Sequence, residues 1–324
     1  MITEFIIAIV ASFVLTALLA RVIIPILKSK KMGQYIKDIG PRWHKSKEGT
    51  PTMGGITFIG AILVLALVAL LINPKDYVSV LLILLLGVLN GVIGFIDDYQ
   101  KLIKKNNDGL NEKQKTILQV LAAGMYLFAM RICGLIDTKL EIPFSNIEIE
   151  LGIVYYLFAI LLIWVMVNSV NITDGIDGLA STVTFFVSIF FAVVSFYFAN
   201  RATGLVSGLL IGGMIGFLVY NLNPARVFMG DTGSLFLGGV ITALAFALNE
   251  PLVVVICGLL YIAELATSAL QVVVFKLSGR KKRLFKMAPY HHHLEQCGWS
   301  ENKIVAVFSA ITIVLSVVAW FAIK

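Results

Sequence analysis

Five carboxylates in this sequence stand where carboxylates are costly. Asp97 and Asp98 close an almost wholly apolar run, Leu81 to Lys101, LLILLLGVLNGVIGFIDDYQK. A charged side chain costs about 2.5–3.5 kcal/mol at the centre of a membrane helix, so acids ending such a run mark a membrane–water boundary or a working site. Two adjacent acids also repel unless a cation or a proton relieves them. If the helix runs on for one more turn, Asp97 and Lys101 lie at i and i+4, the spacing of an ion pair. Interface anchoring is the plain alternative, although Lys or Arg are the commoner anchors.

The stretch Asn171-Ile172-Thr173-Asp174-Gly175-Ile176-Asp177-Gly178 places an amide and two acids at steps of three, with glycines that let a ligand approach the backbone. It lacks the oxygen spacing and closing Glu of an EF-hand, and the chain holds no Walker A loop. A simple turn is the alternative, yet a turn does not require two acids. Asp231 sits in Met229-Gly230-Asp231-Thr232-Gly233-Ser234, where an acid among small residues suits magnesium and phosphate. Mg²⁺ takes one or two protein carboxylates and fills its other positions with water and phosphate oxygens. Phe228 is either a stacking platform or a membrane-face anchor. Contiguous His291, His292 and His293 rarely all point at one ion and fit better as donors to phosphate or sugar oxygens. The basic run Arg280 to Lys286 reads as membrane-side charge or the electropositive mouth of a site for anions. Glu264 is a weaker candidate, a buried acid that bonds a neighbouring helix.

These residues must be carried by membrane helices. Of 324 residues, 59% are hydrophobic and only 14% charged, well below the charge of a soluble domain. Separate apolar runs of about 20 residues point to a polytopic α-helical bundle rather than a barrel of alternating strands. About ten spans fit, as one integral membrane domain over 1–324. The first, from about Thr3 to Leu27, is too long for the apolar part of a signal peptide and lacks its basic start. The others are expected near Met53–Ile72, Leu81–Asp97, Ile117–Cys133, Ile153–Val170, Ala180–Ala199, Leu205–Tyr220, Leu235–Leu248 and Pro251–Lys276, with a tenth ending the chain at Lys324. The ninth is long enough to need a tilt or a kink. Between spans four and five, Leu140, Ile142 and Phe144, then Ile147, Ile149 and Leu151, alternate about Ser145-Asn146. That pattern predicts a short β-hairpin on the outer surface. Cys133, Cys257 and Cys297 form no CxxC and read as packing residues.

Charge orients the bundle. On the ten-span reading, 21 of the 26 Lys and Arg fall on one side, leaving Lys75, Arg131, Lys139, Arg201 and Lys324 opposite. The positive-inside rule makes the rich side cytoplasmic, puts both termini outside, and accounts for the net charge of +7 without a nucleic-acid partner. Asp97, Asp98, Asn171, Asp174, Asp177, Asn221, Asp231 and the histidines then all lie at cytoplasmic ends, free to meet in one pocket.

The residues Asp97-Asp98-xx-Lys101, NITDGIDGLAS and VFMGDTGS resemble the polyprenyl-phosphate N-acetylhexosamine-1-phosphate transferases. Gly49-Thr50-Pro51-Thr52-Met53-Gly54-Gly55 and Ala288-Pro289-Tyr290-His291-His292-His293-Leu294-Glu295 resemble the branch whose donor carries MurNAc-pentapeptide. The likeness spans essentially the whole chain. It implies a ten-span enzyme of the bacterial inner membrane, with its site on the cytoplasmic face. Such an enzyme moves phospho-MurNAc-pentapeptide from UDP-MurNAc-pentapeptide to undecaprenyl phosphate, with Mg²⁺, giving lipid I and UMP in peptidoglycan synthesis. By the same likeness Asp231 is the magnesium ligand, and Asp97 and Asp98 are essential acids, one of them the base. Asn171, Asp174, Gly175, Asp177, Asn221 and Phe228 resemble nucleotide-pocket positions. Lys47, Thr52, Lys101, Lys115, Gln271 and the three histidines resemble residues lining the cleft, and the ninth span resembles one bent into a lipid groove. A homodimer and the choice between direct and covalent transfer are left open.

Rival readings make different demands. A transporter would place its acids near the bilayer midplane, and here they gather at one surface. A membrane scaffold would not need them, and a sibling transferase using UDP-GlcNAc is opposed by the APYHHHLE stretch alone.

Overall fold

The computed structural model describes residues 1–30, 47, 49–74, 76–104, 109–145 and 147–323. Lys31, Lys37, Arg42, Lys45, Lys75, Lys105, Asn146 and Lys324, used above for charge and turn, lie outside the described residues. Twelve helices and one two-stranded sheet follow in the order α1 (Ile2–Ser29), α2 (Gly55–Ile72), α3 (Tyr77–Lys104), α4 (Glu112–Ile132), β1 (Lys139–Glu141), β2 (Glu148–Glu150), α5 (Val154–Thr173), α6 (Leu179–Tyr197), α7 (Arg201–Asn221), α8 (Gly230–Ala247), α9 (Val253–Cys257), α10 (Leu259–Leu277), α11 (Tyr290–Gln296) and α12 (Glu301–Trp320). Ten of these helices are long and apolar enough to cross a membrane, so this is a multi-pass all-α membrane protein.

The helices are not equally placed. In α7 and α8, 83% of the apolar window is buried against other helices, and in α10 only 17%. Thus α7 and α8 form the core, while α10 meets lipid along most of its length. Within a bilayer, apolar side chains gain little by leaving lipid for one another, so close packing and interhelical hydrogen bonds hold the bundle. Small residues permit the approach: a Cβ on Gly94 would stand 2.1 Å from the carbonyl oxygen of Asp231. This contact lays the end of α3 directly on the start of α8. Elsewhere Ser12 Oγ donates to the Leu209 carbonyl at 2.7 Å, and Gln119 and Asn168 exchange amide hydrogen bonds between α4 and α5.

Several expected boundaries shift. Helices α3, α4 and α8 begin at Tyr77, Glu112 and Gly230, ahead of Leu81, Ile117 and Leu235. Polar first turns are invisible to hydropathy but are stabilised by caps; Asn111 and Gln114 form a reciprocal capping box on α4. The ninth span is two helices, α9 and α10, broken at Gly258, where a methionine methyl of α5 lies 2.7 Å from the site of a Cβ. The final basic loop contains α11, which carries the three histidines. The hairpin forms as expected in type, with Leu140 opposite Ile149, but its strands have three residues each. Phe144 takes φ 61° in the turn, and Ile147 and Ile149 are exposed, so the alternation marks strand geometry and no buried face for β2.

Candidate active site

Helix α8 starts without a side-chain cap from its own N-cap residue. Its orphan N–H groups are satisfied from α3 instead. Asp98 Oδ1 accepts from Asp231 N at 3.2 Å, and Asp98 Oδ2 accepts from Thr232 N at 2.9 Å and Thr232 Oγ1 at 2.7 Å. A carboxylate at a helix N-terminus is favoured both by these donors and by the helix dipole. Gly230, with φ 74°, turns the chain into α8, and a Cβ there would stand 2.6 Å from Asp98 Oδ2. Only glycine meets both demands.

This anchorage sets Asp231 beside Asp97. Oxygens of Asp97, Asp98 and Asp231 lie within 4.8 Å of one another. Lys101 Nζ is 2.5 Å from Asp97 Oδ2 and 3.0 Å from Asp231 Oδ2, confirming the i, i+4 pair in a helix that continues past Asp98. Lys115 Nζ also reaches Asp231 Oδ2, at 3.0 Å, and donates to Asn171 Oδ1 at 3.1 Å. Asn171, in the last turn of α5, donates to Asp231 Oδ1 at 2.9 Å and to Ser234 Oγ at 2.8 Å. Asp97 Oδ1 accepts from Leu110 N at 2.7 Å, and its buried Oδ2 faces Lys101 Nζ. Three carboxylates facing one another against two ammonium groups leave one negative charge over. This set of hard oxygen ligands fits a divalent cation.

The glycine-rich stretch after the first loop joins the same place. Phe228 N donates to the Pro51 carbonyl at 2.8 Å, and Gly54 N to the Phe228 carbonyl at 2.8 Å. Thr52 and the half-buried Phe228 therefore border Asp231, with Thr52 Oγ1 beside Gly230.

A second carboxylate–lysine cluster stands next to the first. Lys47 Nζ lies 2.7 Å from Asp177 Oδ1 and 2.6 Å from Glu301 Oε1. Glu301 Oε2 accepts from Asp177 N at 3.0 Å, while Asp177 Oδ2 accepts from Asn223 Nδ2 at 3.0 Å and Ala225 N at 2.9 Å. Here every carboxylate oxygen is engaged, and the cluster ties the start of α12 to the loops after α5 and α7. Asp174, between the two clusters and just past the end of α5, is partly buried. Burial first, then the charges of Asp231, Asp98 and Asp177, push its carboxyl well above the usual carboxylate range.

Other expected ligands are committed inside the protein. Asn221 accepts from Ser181 Oγ at 2.8 Å and donates to the Val227 carbonyl at 3.0 Å, bracing the loop that leads to Asp231. Gln271 accepts from Leu284 N and Phe285 N, both at 2.9 Å, and fixes the turn after α10. The histidines diverge: His291 is buried against Glu264, His292 Nδ1 lies 2.6 Å from Glu295, and His293 Nδ1 accepts from Lys286 N at 3.2 Å. Glu301 and Thr232 were not foreseen. Glu301 follows the N-cap Ser300 and looks like an ordinary first-turn acid; Thr232 was legible only as part of the small-residue motif.

A helical membrane bundle with acids and lysines gathered at its basic end defines the class, and the chain belongs to glycosyl transferase family 4, whose family model matches residues 80–249. Its relatives are more particular. It is 43% identical over 318 residues to a phospho-N-acetylmuramoyl-pentapeptide-transferase of Clostridium perfringens (strain 13 / Type A), covering 98% of each chain. It is 41% identical to the protein of that name from Staphylococcus carnosus (strain TM300), covering 97% of each, and 42% to the one from Staphylococcus aureus (strain Newman), covering 94% of each.

Proposed function

We propose that the chain, as one integral membrane catalytic domain, transfers phospho-MurNAc-pentapeptide from UDP-MurNAc-pentapeptide to undecaprenyl phosphate. The products are lipid I and UMP, formed at the cytoplasmic face of the bacterial inner membrane. The observation that carries this reading is the cluster of three facing carboxylates and two lysines at the basic end of the bundle. A lipid-borne phosphate and a water-soluble donor can meet only at such an interface.

In the reaction an oxygen of the lipid phosphate attacks the sugar-bearing phosphorus of the donor. The bond from that phosphorus to the bridging oxygen breaks, and UMP leaves with the oxygen. Such transfers depend on positioning and charge neutralisation. Asp231 is the residue that would hold Mg²⁺, which when bound neutralises charge on the diphosphate. Lys101 and Lys115 bring two further positive charges to the same oxygens. Asp97, whose Oδ2 faces Lys101 and takes no backbone N–H, accepts the proton of the lipid phosphate, whereas Asp98 has both oxygens occupied by the start of α8 and positions Asp231. Asn171 orients Asp231 from the other side.

The test uses detergent-solubilised protein with undecaprenyl phosphate and Mg²⁺. UMP release from UDP-MurNAc-pentapeptide, lost with EDTA and in Asp231→Ala, is expected. Release only from UDP-GlcNAc would move the chain to the sibling reaction, and no release from any donor by folded protein would overturn the reading.

A further inference from the structure

Glu264 is the one acid in the middle of α10, a helix that otherwise buries only Leu260 and Tyr261. Its side chain is 2% exposed, and burying a carboxylate in a membrane helix is costly unless partners receive it. Among the described residues, its side-chain partners belong to one residue. His291 N donates to Glu264 Oε1 at 3.2 Å and Oε2 at 3.4 Å, and His291 Nδ1 lies 2.9 Å from Oε2. A carboxylate already taking a backbone N–H is an acceptor, so Nδ1 carries the ring proton and donates it.

The ring is thereby fixed with Nε2 pointing away from α10. His291 is fully buried, and Nε2 has no hydrogen-bond partner among the described residues. It abuts Gly175: a Cβ there would stand 2.2 Å from Nε2 and 2.7 Å from Cε1. Gly175 does not have the positive φ of Gly178, so it is the imidazole, and no backbone strain, that requires glycine here. Four residues before Gly175 is Asn171, which holds Asp231, and two residues after it is Asp177, which is pinned by Lys47 and Glu301. The loop between them is thus gripped at one end by the second cluster and in its middle by the tip of His291.

We propose that Glu264 is a positioning residue for the reaction: it clamps His291 so that the imidazole sets the height of Gly175, and with it the donor-binding loop Asp174–Gly178. This rests on the transferase reading above. It separates His291 from His292 and His293, whose rings are turned to other partners.

The test measures UMP release by the full-length protein while donor and lipid are varied separately, beside melting temperatures. Glu264→Gln keeps the size but weakens the acceptor, and it should raise KM for UDP-MurNAc-pentapeptide about tenfold with KM for undecaprenyl phosphate unchanged, as for groups that orient a ligand-contacting residue. His291→Asn retains a donor at the Nδ1 position, keeping Glu264 paired, and removes the ring tip. It should give the same rise, and adding Glu264→Gln to it should give no more. A merely structural role would lower kcat through a smaller folded fraction and leave both KM values alone. If Glu264→Gln does not fold, His291→Asn alone decides. An unchanged donor KM in the variants of an active wild type, or equal effects on both substrates, overturns the inference; an inactive wild type overturns the transferase reading instead.

Discussion

Two carboxylate–lysine clusters stand side by side at the basic end of this bundle, made of the same residue types, and their wiring assigns them different work. Around Asp177 and Glu301 each oxygen has a donor, and the acids are bridged by Lys47 and by Asp177 N. Around Asp97, Asp98 and Asp231 three carboxylates converge on one another, with Lys101 and Lys115 set among them. The first arrangement is satisfied and holds chain segments together. The second gathers three carboxylates within 4.8 Å, which our proposal assigns to a divalent cation and the phosphates it meets. On the proposed reading, the convergence of three carboxylates, more than the presence of acids, distinguishes the reaction centre from the brace.

The contrast breaks most sharply under charge removal. Asp231→Asn and Asp97→Asn should each lower kcat about 10³-fold, or about 4 kcal/mol of barrier, with melting temperature nearly unchanged. Asp177→Asn should do the reverse. Breaking a buried pair costs about 3–5 kcal/mol, and because Lys47 keeps some solvent and Glu301 remains, about 2–3 kcal/mol of stability is expected, seen as a lower melting temperature with a smaller loss of rate. A variant Asp177→Asn that melted normally and lost all turnover would erase the distinction.

Asp98→Asn lies between the two. It weakens charge-assisted bonds to the start of α8, each worth about 1.5–3 kcal/mol, so rate and melting temperature should fall together. A variant inactive at full stability would instead make Asp98 the base.

Smaller effects sharpen the picture. The raised carboxyl of Asp174 means that the folded state holds a proton which the unfolded chain releases. Its stability contribution is full below the unfolded value, about 4, and is lost as pH rises through the folded value. Melting curves of Asp174→Asn should therefore fall less with rising pH than those of wild type. At the far end of the molecule, Lys139 and Glu148 lie 4.0 Å apart with half their surfaces in solvent. Lys139→Ala should change stability by less than about 0.5 kcal/mol and leave turnover intact.

What the sequence made legible follows from locality. The ten spans rest on runs of about 20 apolar residues, and the gathering of Asp97, Asp174, Asp177 and Asp231 at one surface follows from counting them. The asymmetry of Lys and Arg is the ground for expecting that surface to be cytoplasmic. The pair Asp97–Lys101 follows from helix spacing alone. The partition of acids between brace and centre does not, because it depends on contacts more than 100 residues apart, such as Asp98 with Thr232 and Lys47 with Glu301. A kink in the ninth span was legible from its length, but its place at Gly258 was not, since a Cβ there would meet the Val254 carbonyl and a methionine methyl of α5 and no proline marks it. Gln271 and Asn221 carry the right polarity, and the structure pairs Gln271 with the backbone at Leu284 and Phe285 and Asn221 with Ser181 and the Val227 carbonyl.

The most direct test asks which cluster takes a cation. Mn²⁺, added in place of Mg²⁺ to detergent-solubilised protein, is followed by electron paramagnetic resonance in wild type, Asp231→Asn and Asp177→Asn. The account predicts bound Mn²⁺ in wild type and in Asp177→Asn, and only free Mn²⁺ in Asp231→Asn. Binding that survives Asp231→Asn and disappears in Asp177→Asn would contradict it.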